Sequence, residues 1–183
     1  MFGSKINTDK EGIEELLTRG VGNFEGKPNI YPSKEEGRKK LTEGRKLRVY
    51  LGIDPTGPDL HLGHTIPLLF LKRLLRQGHI PVLVIGDFTA RIGDPTGKDT
   101  TRKPLSEKEI KDNMKNYLGQ VYKILPKGSF EVKYNSSWLS RMELEDFLNL
   151  ASNISAFELM TRNMFRERQQ KGNFLGVHEF LYP

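Results

Sequence analysis

Two histidines, His61 and His64, are the residues of this sequence best placed to do chemistry. They lie in the string GIDPTGPDLHLGH, in which a short apolar run ends at an Asp-Pro turn and a leucine-rich stretch follows. Histidines three positions apart share one face of the first turn of a helix. A helix N-terminus presents free N–H groups and a partial positive charge, which suit phosphate. The pattern predicts imidazoles that donate hydrogen bonds to phosphate oxygens as charge grows in a transition state.

Two other interpretations of the histidine pair compete with this prediction. A pair at this spacing can be part of a metal site, but the sequence supplies no HExxH pattern, no cysteine and no accompanying third ligand. No protein-bound metal is therefore predicted. The pair can also be two surface histidines without a role, although turn chemistry alone does not explain the Asp, Pro, Thr and Gly residues around it.

A second string, GDFTARIGDPTGKDTTRKP, follows the next apolar run and is rich in charge. It is not a P-loop, because GDPTGK has too few residues between its glycines and Asp99 stands where a P-loop has Ser or Thr. Its flanking glycines would let Asp94 approach a ligand. Lys98, Arg102 and Lys103 can form a cationic arm for a polyphosphate. The competing interpretation is an ordinary type I turn with solvated basic residues.

The elements that must position these strings alternate between strand and helix. Residues 47–53 and 81–85 are short apolar runs of strand length, and residues 60–77 carry a broad apolar helical stripe that ends before Gly78. Uninterrupted apolar runs are typical of buried parallel strands. Strand, helix and strand within this length predict a βαβ unit, and residues 130–135 predict a third strand. The fold class is therefore α/β, a Rossmann-like parallel sheet with flanking helices.

Helical patterns flank this core on both sides. Two short ones precede it, the first ending before Gly20 and the second running from the Ser33 capping box to Gly44. Further helices are predicted from Ser106 to about Leu125, from Glu143 and from Ser155. We therefore predict an N-terminal helical segment over residues 1–46 and a Rossmann-like domain over residues 47–183. Three strands are few for such a sheet, and the apolar cluster HEFLYP at the end predicts a domain incomplete at its C-terminus.

The amino-acid composition excludes several classes of protein and of site. Twenty-nine Lys and Arg against 23 Asp and Glu give a net charge of +6, which is compatible with nucleic acid but also with an ordinary surface. A mean hydropathy of −0.54, without an apolar run of membrane-spanning length, argues against a membrane partner. There is no cysteine, which excludes disulfides, thiolate metal sites and a cysteine nucleophile. These features predict a cytoplasmic protein.

The two strings together resemble a known family. HLGH after a first strand resembles the HIGH signature of class I aminoacyl-tRNA synthetases, and GIDPTGPDLHLGH followed by GDFTARIGDPTGK is similar to the bacterial tyrosyl-tRNA synthetases. The likeness extends through YNSSWL and VHEFLYP, so it covers most of the chain. Tryptophanyl relatives fit less well, because they differ at the positions of Asp54 and of the second histidine.

The resemblance implies roles at the nucleotide side of a site. His61 and His64 match the signature histidines that stabilise the α-phosphate and pyrophosphate of ATP during adenylate formation. Gly63 matches the glycine against which the adenine ring packs. The remaining nucleotide-side positions that it implies are Gly52, Asp54 and Thr56.

The resemblance also implies a tyrosine pocket and a mobile arm. Tyr50 matches the residue that hydrogen-bonds the phenol of the substrate, and Asp94, with Thr89 and Tyr182, matches the group that holds its ammonium. Lys98 and Arg102 match the catalytic cationic loop that clasps pyrophosphate. Mg²⁺ is expected on the ATP phosphates, as a companion of the substrate.

The implied activity is that of a tyrosine-tRNA ligase, with L-tyrosine, ATP and tRNA(Tyr) as partners and a homodimer as the assembly. The sequence has no KMSKS-like loop and no anticodon-binding region, which predicts an N-terminal part that is inactive or nearly so alone. Two alternatives stay open at this point. Small nucleotidylyltransferases also carry HxGH after a first strand, although their Asp stands closer to the first histidine than Asp54 does to His61. The second alternative is a non-catalytic RNA-binding fragment.

Overall fold

The computed structural model describes residues 6–22, 29–91, 105–173 and 175–181 and contains a three-stranded sheet. Its strands are β1 (Arg48–Ile53), β2 (Ile80–Ile85) and β3 (Glu131–Tyr134), in the order β1-β2-β3. The helices are α1 (Lys10–Thr18), α2 (Lys34–Thr42), α3 (Leu62–Arg76), α4 (Glu107–Met114), α5 (Tyr117–Val121), α6 (Ser136–Leu139), α7 (Leu144–Ala151), α8 (Ala156–Thr161) and α9 (Asn163–Gln170). Short 3-10 segments cover Thr89–Arg91 and Val177–Leu181.

The strands run parallel. The N–H of Ile80, which begins β2, donates to the carbonyl of Leu47 just before β1, at 2.8 Å. The N–H of Asn135, just after β3, donates to the carbonyl of Ile85 at the end of β2, at 3.0 Å. The beginnings of β1 and β2 are thus bonded to each other, and so are the ends of β2 and β3, as in a parallel sheet. This confirms the predicted α/β class with its parallel sheet and its βαβ unit.

The chain divides into two compact units. The first consists of Met1–Ile53, Asp59–Val84 and Asn116–Lys133, and the second of Asp54–Pro58, Ile85–Lys115 and Tyr134–Pro183. In the first unit α3 packs on β1 and on α1, and α1 packs on α2. Its core is formed by apolar residues at helical spacing on α1 and α3 and on strand β2. Those residues are Ile13, Leu16, Leu17, Leu68, Leu71, Leu74, Val82 and Leu83.

The second unit contains the helices that follow β3 and an unusual buried ion pair. Arg168 of α9 pairs with Glu179 of the last 3-10 segment, and the Glu179 carboxylate also accepts the Gly176 N–H at 2.9 Å. Phe165 stacks on Phe180 with ring centroids 4.5 Å apart. Burial of both charges demands this pairing, because a lone buried charge is very costly. These contacts fasten the last described segment to α9.

Two details differ from the sequence prediction. The helix predicted from Ser106 to about Leu125 is two helices, α4 and α5. At the end of α4 the Lys115 N–H donates to the carbonyl of Asp112, three residues back, and the boundary between the two units falls between Lys115 and Asn116. At Ser33 only half of the predicted capping box appears in the described contacts: the hydroxyl accepts the Glu36 N–H at 3.2 Å. The glycines predicted to end helices, Gly20, Gly44 and Gly78, all have positive φ.

No helix within the described ranges combines the length and the apolar character that crossing a bilayer requires.

Candidate functional site

The two histidines cap the N-terminus of α3, in the first unit. His61 is the N-cap residue, and its Nδ1 accepts the N–H of Gly63 at 3.1 Å. His64 reaches back, and its Nδ1 accepts the N–H of His61 at 3.1 Å. The ring centroids are 3.8 Å apart and the planes are tilted by 33°. Each imidazole therefore satisfies a backbone N–H that the first helical turn leaves free, and both rings are fixed at the helix end.

These bonds determine which nitrogen of each ring carries the proton. An Nδ1 that accepts an N–H has no proton of its own, so the neutral ring is the Nε2–H tautomer. Burial lowers the pKa of His64 below its ordinary value, and the nearby His61 contributes in the same direction. His64 is thus a neutral ring near pH 7 that offers Nε2–H as a donor. The arrangement suits hydrogen bonding to an oxyanion without any transfer of the ring proton.

Gly63 is required by the histidine pair itself. A Cβ at this position would lie 3.0 Å from both Cε1 and Nδ1 of His61. Any side chain would therefore press on the ring that the Gly63 N–H binds. The role that the resemblance implies for Gly63, contact with an adenine ring, stays a prediction.

A cleft of about 350 Å³ opens beside the imidazoles, within the first unit. Residues of α3 and the loop before it form one side, and residues from α5 to Ile124 form the other. The lining residues are Leu60, His61, Leu62, His64, Thr65, Leu68, Gln120, Lys123 and Ile124. Sequence reasoning did not single out Gln120 or Lys123, whose separation from the histidines along the chain gave no signal. The lining thus includes both histidines and a lysine, whose positive charge favours an anion.

A second group of predicted residues lies in the second unit, where Asp54 meets Thr89. The Thr89 hydroxyl donates to Asp54 Oδ1 at 2.8 Å. Asn135, which follows β3, donates from Nδ2 to the Thr89 Oγ1 at 2.9 Å and accepts the Phe88 N–H at 2.8 Å. The exposed fraction of Asn135 is 7%. This chain of bonds holds the Asp54 carboxylate and the Thr89 hydroxyl in fixed positions.

The network leaves no room for a side chain at Gly86. A Cβ there would lie 1.7 Å from Asp54 Oδ1 and 2.6 Å from the Thr89 Oγ1. Nearby, the carboxylate of Asp87 accepts both the N–H of Ser136, at 2.9 Å, and its hydroxyl, at 2.6 Å. Gly86, Asp87 and Asn135 were missed by sequence reasoning, although the string GDFTAR contains the first two.

The other predicted residues are placed as follows. Tyr50 and Gly52 are both exposed positions of β1, Tyr50 with 76% of its surface accessible, and a Cβ at Gly52 would meet nothing within 4 Å. Thr56 is exposed, and its N–H donates to the carbonyl of Asp54 at 2.8 Å. The four remaining candidates, Asp94, Lys98, Arg102 and Tyr182, lie outside the described residues. The described residues contain no cluster of three His, Cys, Asp or Glu that could hold a metal ion.

Comparison with known proteins gives concordant sequence matches. The family described as tRNA synthetases class I (W and Y) matches residues 42–183. A tyrosine--tRNA ligase of Carboxydothermus hydrogenoformans is 43% identical over 169 residues, covering 92% of this chain and 40% of the relative. One from Trichormus variabilis is 45% identical over 172 residues, covering 91% of this chain and 43% of the relative. The chain thus spans about 40% of the length of the curated relatives that it matches.

The fold agrees with these matches. A C-terminally truncated mitochondrial tyrosyl-tRNA synthetase of Aspergillus nidulans superposes with a TM-score of 0.78 at 24% identity, covering 96% of this chain and 51% of that one. At this identity the likeness concerns the fold, and it confirms the Rossmann-like architecture predicted for the class I synthetases. Together with the family match over residues 42–183, it leads to one conclusion: the chain belongs to the class I tRNA synthetases of the W and Y group.

Proposed function

We propose that this chain is part of a tyrosine-tRNA ligase, which activates L-tyrosine with ATP and transfers it to tRNA(Tyr). The curated relatives that cover most of the chain bear that name. The observation that carries the proposal is the histidine pair at the start of α3, whose Nδ1 atoms are both bound to backbone N–H groups. That arrangement presents two Nε2–H donors at a helix N-terminus, where a phosphate is favoured.

In the first step, a carboxylate oxygen of tyrosine forms a bond to the α-phosphorus of ATP. The bond from that phosphorus to the bridging oxygen breaks, and pyrophosphate leaves with the electron pair. The imidazoles of His61 and His64 donate to phosphate oxygens on which negative charge grows, so they stabilise the transition state more than the ground state. No protein nucleophile is needed, and positioning supplies most of the remaining rate. Mg²⁺ bound to the phosphates would neutralise part of their charge.

Lys98 and Arg102 are proposed to hold the leaving pyrophosphate as cations, and Gly52, Asp54, Thr56 and Gly63 to contact the nucleotide. In the second step, a hydroxyl of the terminal adenosine of tRNA attacks the carbonyl carbon of the adenylate, and AMP leaves. The protein again contributes no covalent intermediate.

Tyrosine itself is proposed to bind through Tyr50 at its phenol and through Thr89, Asp94 and Tyr182 at its ammonium. A site that hydrogen-bonds a hydroxyl rejects the analogue without it by about 10⁴ to 10⁵, which would separate tyrosine from phenylalanine. The bond from Thr89 to Asp54 and the bond from Asn135 to Thr89 support this part of the proposal, because they fix the hydroxyl's orientation before a ligand arrives.

A homodimer in the cytoplasm is the proposed assembly. In the second unit, α7 has no buried residue, and its Leu144 and Leu148 are 72% and 58% exposed. Phe157 of α8 is 79% exposed. Exposed apolar surface of this kind supports burial against a second copy of the chain.

The test is tyrosine-dependent exchange of labelled pyrophosphate into ATP by the full-length natural gene product. Exchange that requires tyrosine supports the proposal. A nucleotidylyltransferase would exchange only with a phosphorylated acceptor in place of tyrosine. An RNA-binding protein without catalysis would bind tRNA with a steep salt dependence and show no exchange. The 183-residue chain alone is expected to show little or no exchange.

A further inference from the structure

We infer that Gln120, on α5, is a positioning residue for the histidine pair: its amide holds the two residues before His61 and thereby fixes how the chain enters α3. The inference rests on the proposed function, since it assigns Gln120 a part in adenylate formation. It concerns a residue of another helix, about 60 positions along the chain from the histidines.

The amide of Gln120 makes two bonds to consecutive residues of the loop before α3. Its Oε1 accepts the N–H of Leu60 at 2.8 Å, and its Nε2 donates to Asp59 Oδ1 at 3.2 Å. A backbone N–H can only donate and a carboxylate can only accept, so a reversed amide would break both bonds. The two partners therefore define the orientation of the amide, and the amide in turn restrains the loop.

The restraint passes directly to His61, because Leu60 is its neighbour in the chain. His61 has an extended backbone, φ −94° and ψ 172°, and its own N–H donates to His64 Nδ1 at 3.1 Å. The peptide units on either side of the Leu60 Cα are thus bound at both N–H groups, one to Gln120 and the other to His64. Releasing the Gln120 bond would let the Leu60 N–H turn, and the His61 N–H would turn with it. The orientation of the His64 ring depends on that second bond.

Gln120 can act as an anchor because α5 is fixed in the core. Tyr117 and Val121, on the same short helix, are 3% and 1% exposed, and Leu125 just beyond it is fully buried. His61 and Asp59, in contrast, are exposed, and His61 is held by bonds to its near neighbours. An exposed cap held by local bonds frays readily, whereas a bond to a buried element resists fraying. A displacement of about 1 Å in a catalytic group can cost about 100-fold in rate.

The experiment compares Gln120→Met with Gln169→Met. Methionine matches glutamine in length but lacks both hydrogen-bonding groups, and Gln169 is an exposed glutamine of α9 in the second unit. Two readouts are taken. Nitrogen-15 NMR of labelled histidines in this chain reports which ring nitrogen is protonated, and hydrogen exchange reports the protection of the Leu60 N–H. Pyrophosphate exchange by the full-length gene product reports kcat and the KM values for ATP and tyrosine.

For Gln120→Met we expect a mixture of Nδ1–H and Nε2–H tautomers at His64, and faster exchange at Leu60. We also expect kcat lower by about 10-fold with KM values little changed, because the misplaced donors act chiefly in the transition state. Gln169→Met should match the wild type in every readout. Unchanged imidazole signals in folded Gln120→Met would overturn the inference, and so would equal losses in the two variants.

If Gln120→Met does not fold, Gln120→Glu replaces it. Its carboxylate still accepts the Leu60 N–H but repels Asp59, so an intermediate loss of kcat and of tautomer purity is expected, and wild-type behaviour would overturn the inference. A full-length protein without tyrosine-dependent exchange would refute the proposed function instead. The imidazole spectra, which need no substrate, would then decide the inference about Gln120.

Discussion

The histidine pair of the first unit and the Asp54 network of the second unit are held in opposite ways. The bonds that fix the imidazoles join residues two or three positions apart and lie at an exposed helix end. The bonds among Asp54, Thr89 and Asn135 join residues 35 and 46 positions apart and are partly buried. The bonds of the first arrangement are local to the start of α3, with Gln120 as a more distant support, whereas the second arrangement requires the ends of all three strands to be in place.

We therefore expect changes at the histidine pair to affect chiefly catalysis, and changes in the Asp54 network to affect chiefly stability. A helix cap contributes about 1 kcal/mol, so a change at His64 should cost little stability while it removes a donor from the site. A change within the Asp54 network should lower stability first, because buried polar groups lose their partners or are pushed apart.

His64→Ala should have the largest effect, and it should fall on the rate. Removing one preorganised donor to a developing oxyanion lowers kcat by about 10² to 10³. Adenylate formation by the full-length gene product is measured in single turnovers, with the ATP and tyrosine affinities measured separately. The free energy of unfolding, from urea titration of the same variant, should fall by only about 1 kcal/mol. A rate within a factor of two of the wild type would remove His64 from the mechanism.

The histidine half of the site could be predicted from the sequence because its determinants are adjacent. The HLGH string contains both rings, the glycine that makes room for one of them, and the helix start that orients them. The lengths of the strands and the helix ends before Gly20, Gly44 and Gly78 could also be predicted, because apolar runs and helix-ending glycines are local features of the sequence. What the string did not disclose is the protonated nitrogen of each ring, which follows from the Nδ1 bonds to the backbone.

The network of Asp54, Thr89 and Asn135 could not be predicted from one sequence. Asn135 stands in the string YNSSWL without any local mark of its bonds to Phe88 and Thr89, which are more than 40 positions away. The sequence around Gln120 likewise gives no sign of its bond to the Leu60 N–H. The break between α4 and α5 also has no local mark, because Ile110, Tyr117 and Val121 keep a helical spacing across it and are all buried. Such features depend on tertiary packing that a single sequence does not specify.

Gly86→Ala should have the largest effect on stability. The new methyl group would lie 1.7 Å from Asp54 Oδ1, so Asp54, Thr89 or the backbone must move, at a cost of about 2 to 3 kcal/mol. Urea titration followed by circular dichroism measures the change in unfolding free energy. The control is Gly119→Ala in α5, where a Cβ meets nothing within 4 Å and alanine favours the helix. Equal stabilities for the two variants would mean that the network can open without cost.

Asn135→Ala should destabilise the second unit by about 1 to 2 kcal/mol. The substitution removes the acceptor of the Phe88 N–H and the donor to the Thr89 Oγ1, and leaves those part-buried groups to find new partners. Asn153→Ala is the control, because the Asn153 amide donates at an exposed position to the carbonyl of Asn149, only four residues away. Hydrogen exchange at the Phe88 N–H should accelerate in Asn135→Ala and stay unchanged in Asn153→Ala. Unchanged exchange in both would contradict the assigned bond.

The smallest predicted effect is the dependence of stability and of the adenylation rate on pH, and it involves only the histidine pair. Because burial lowers the pKa of His64 below its usual value of about 6.5, the folded chain binds its proton less readily than the unfolded chain does. The contribution of His64 to stability is therefore present above pH 6.5 and is lost as pH falls through the folded pKa. Protonation places a hydrogen on Nδ1, which can then no longer accept the His61 N–H. The bond that orients the ring is therefore lost only in acid, and the acid limb of the adenylation rate should lie below pH 6.5. NMR titration measures the midpoint, with the His64→Gln spectrum assigning the signal and the urea-unfolded chain as reference. A folded midpoint at or above that of the unfolded chain would contradict the lowering of the His64 pKa by burial and, with it, the pH range predicted for the adenylation rate.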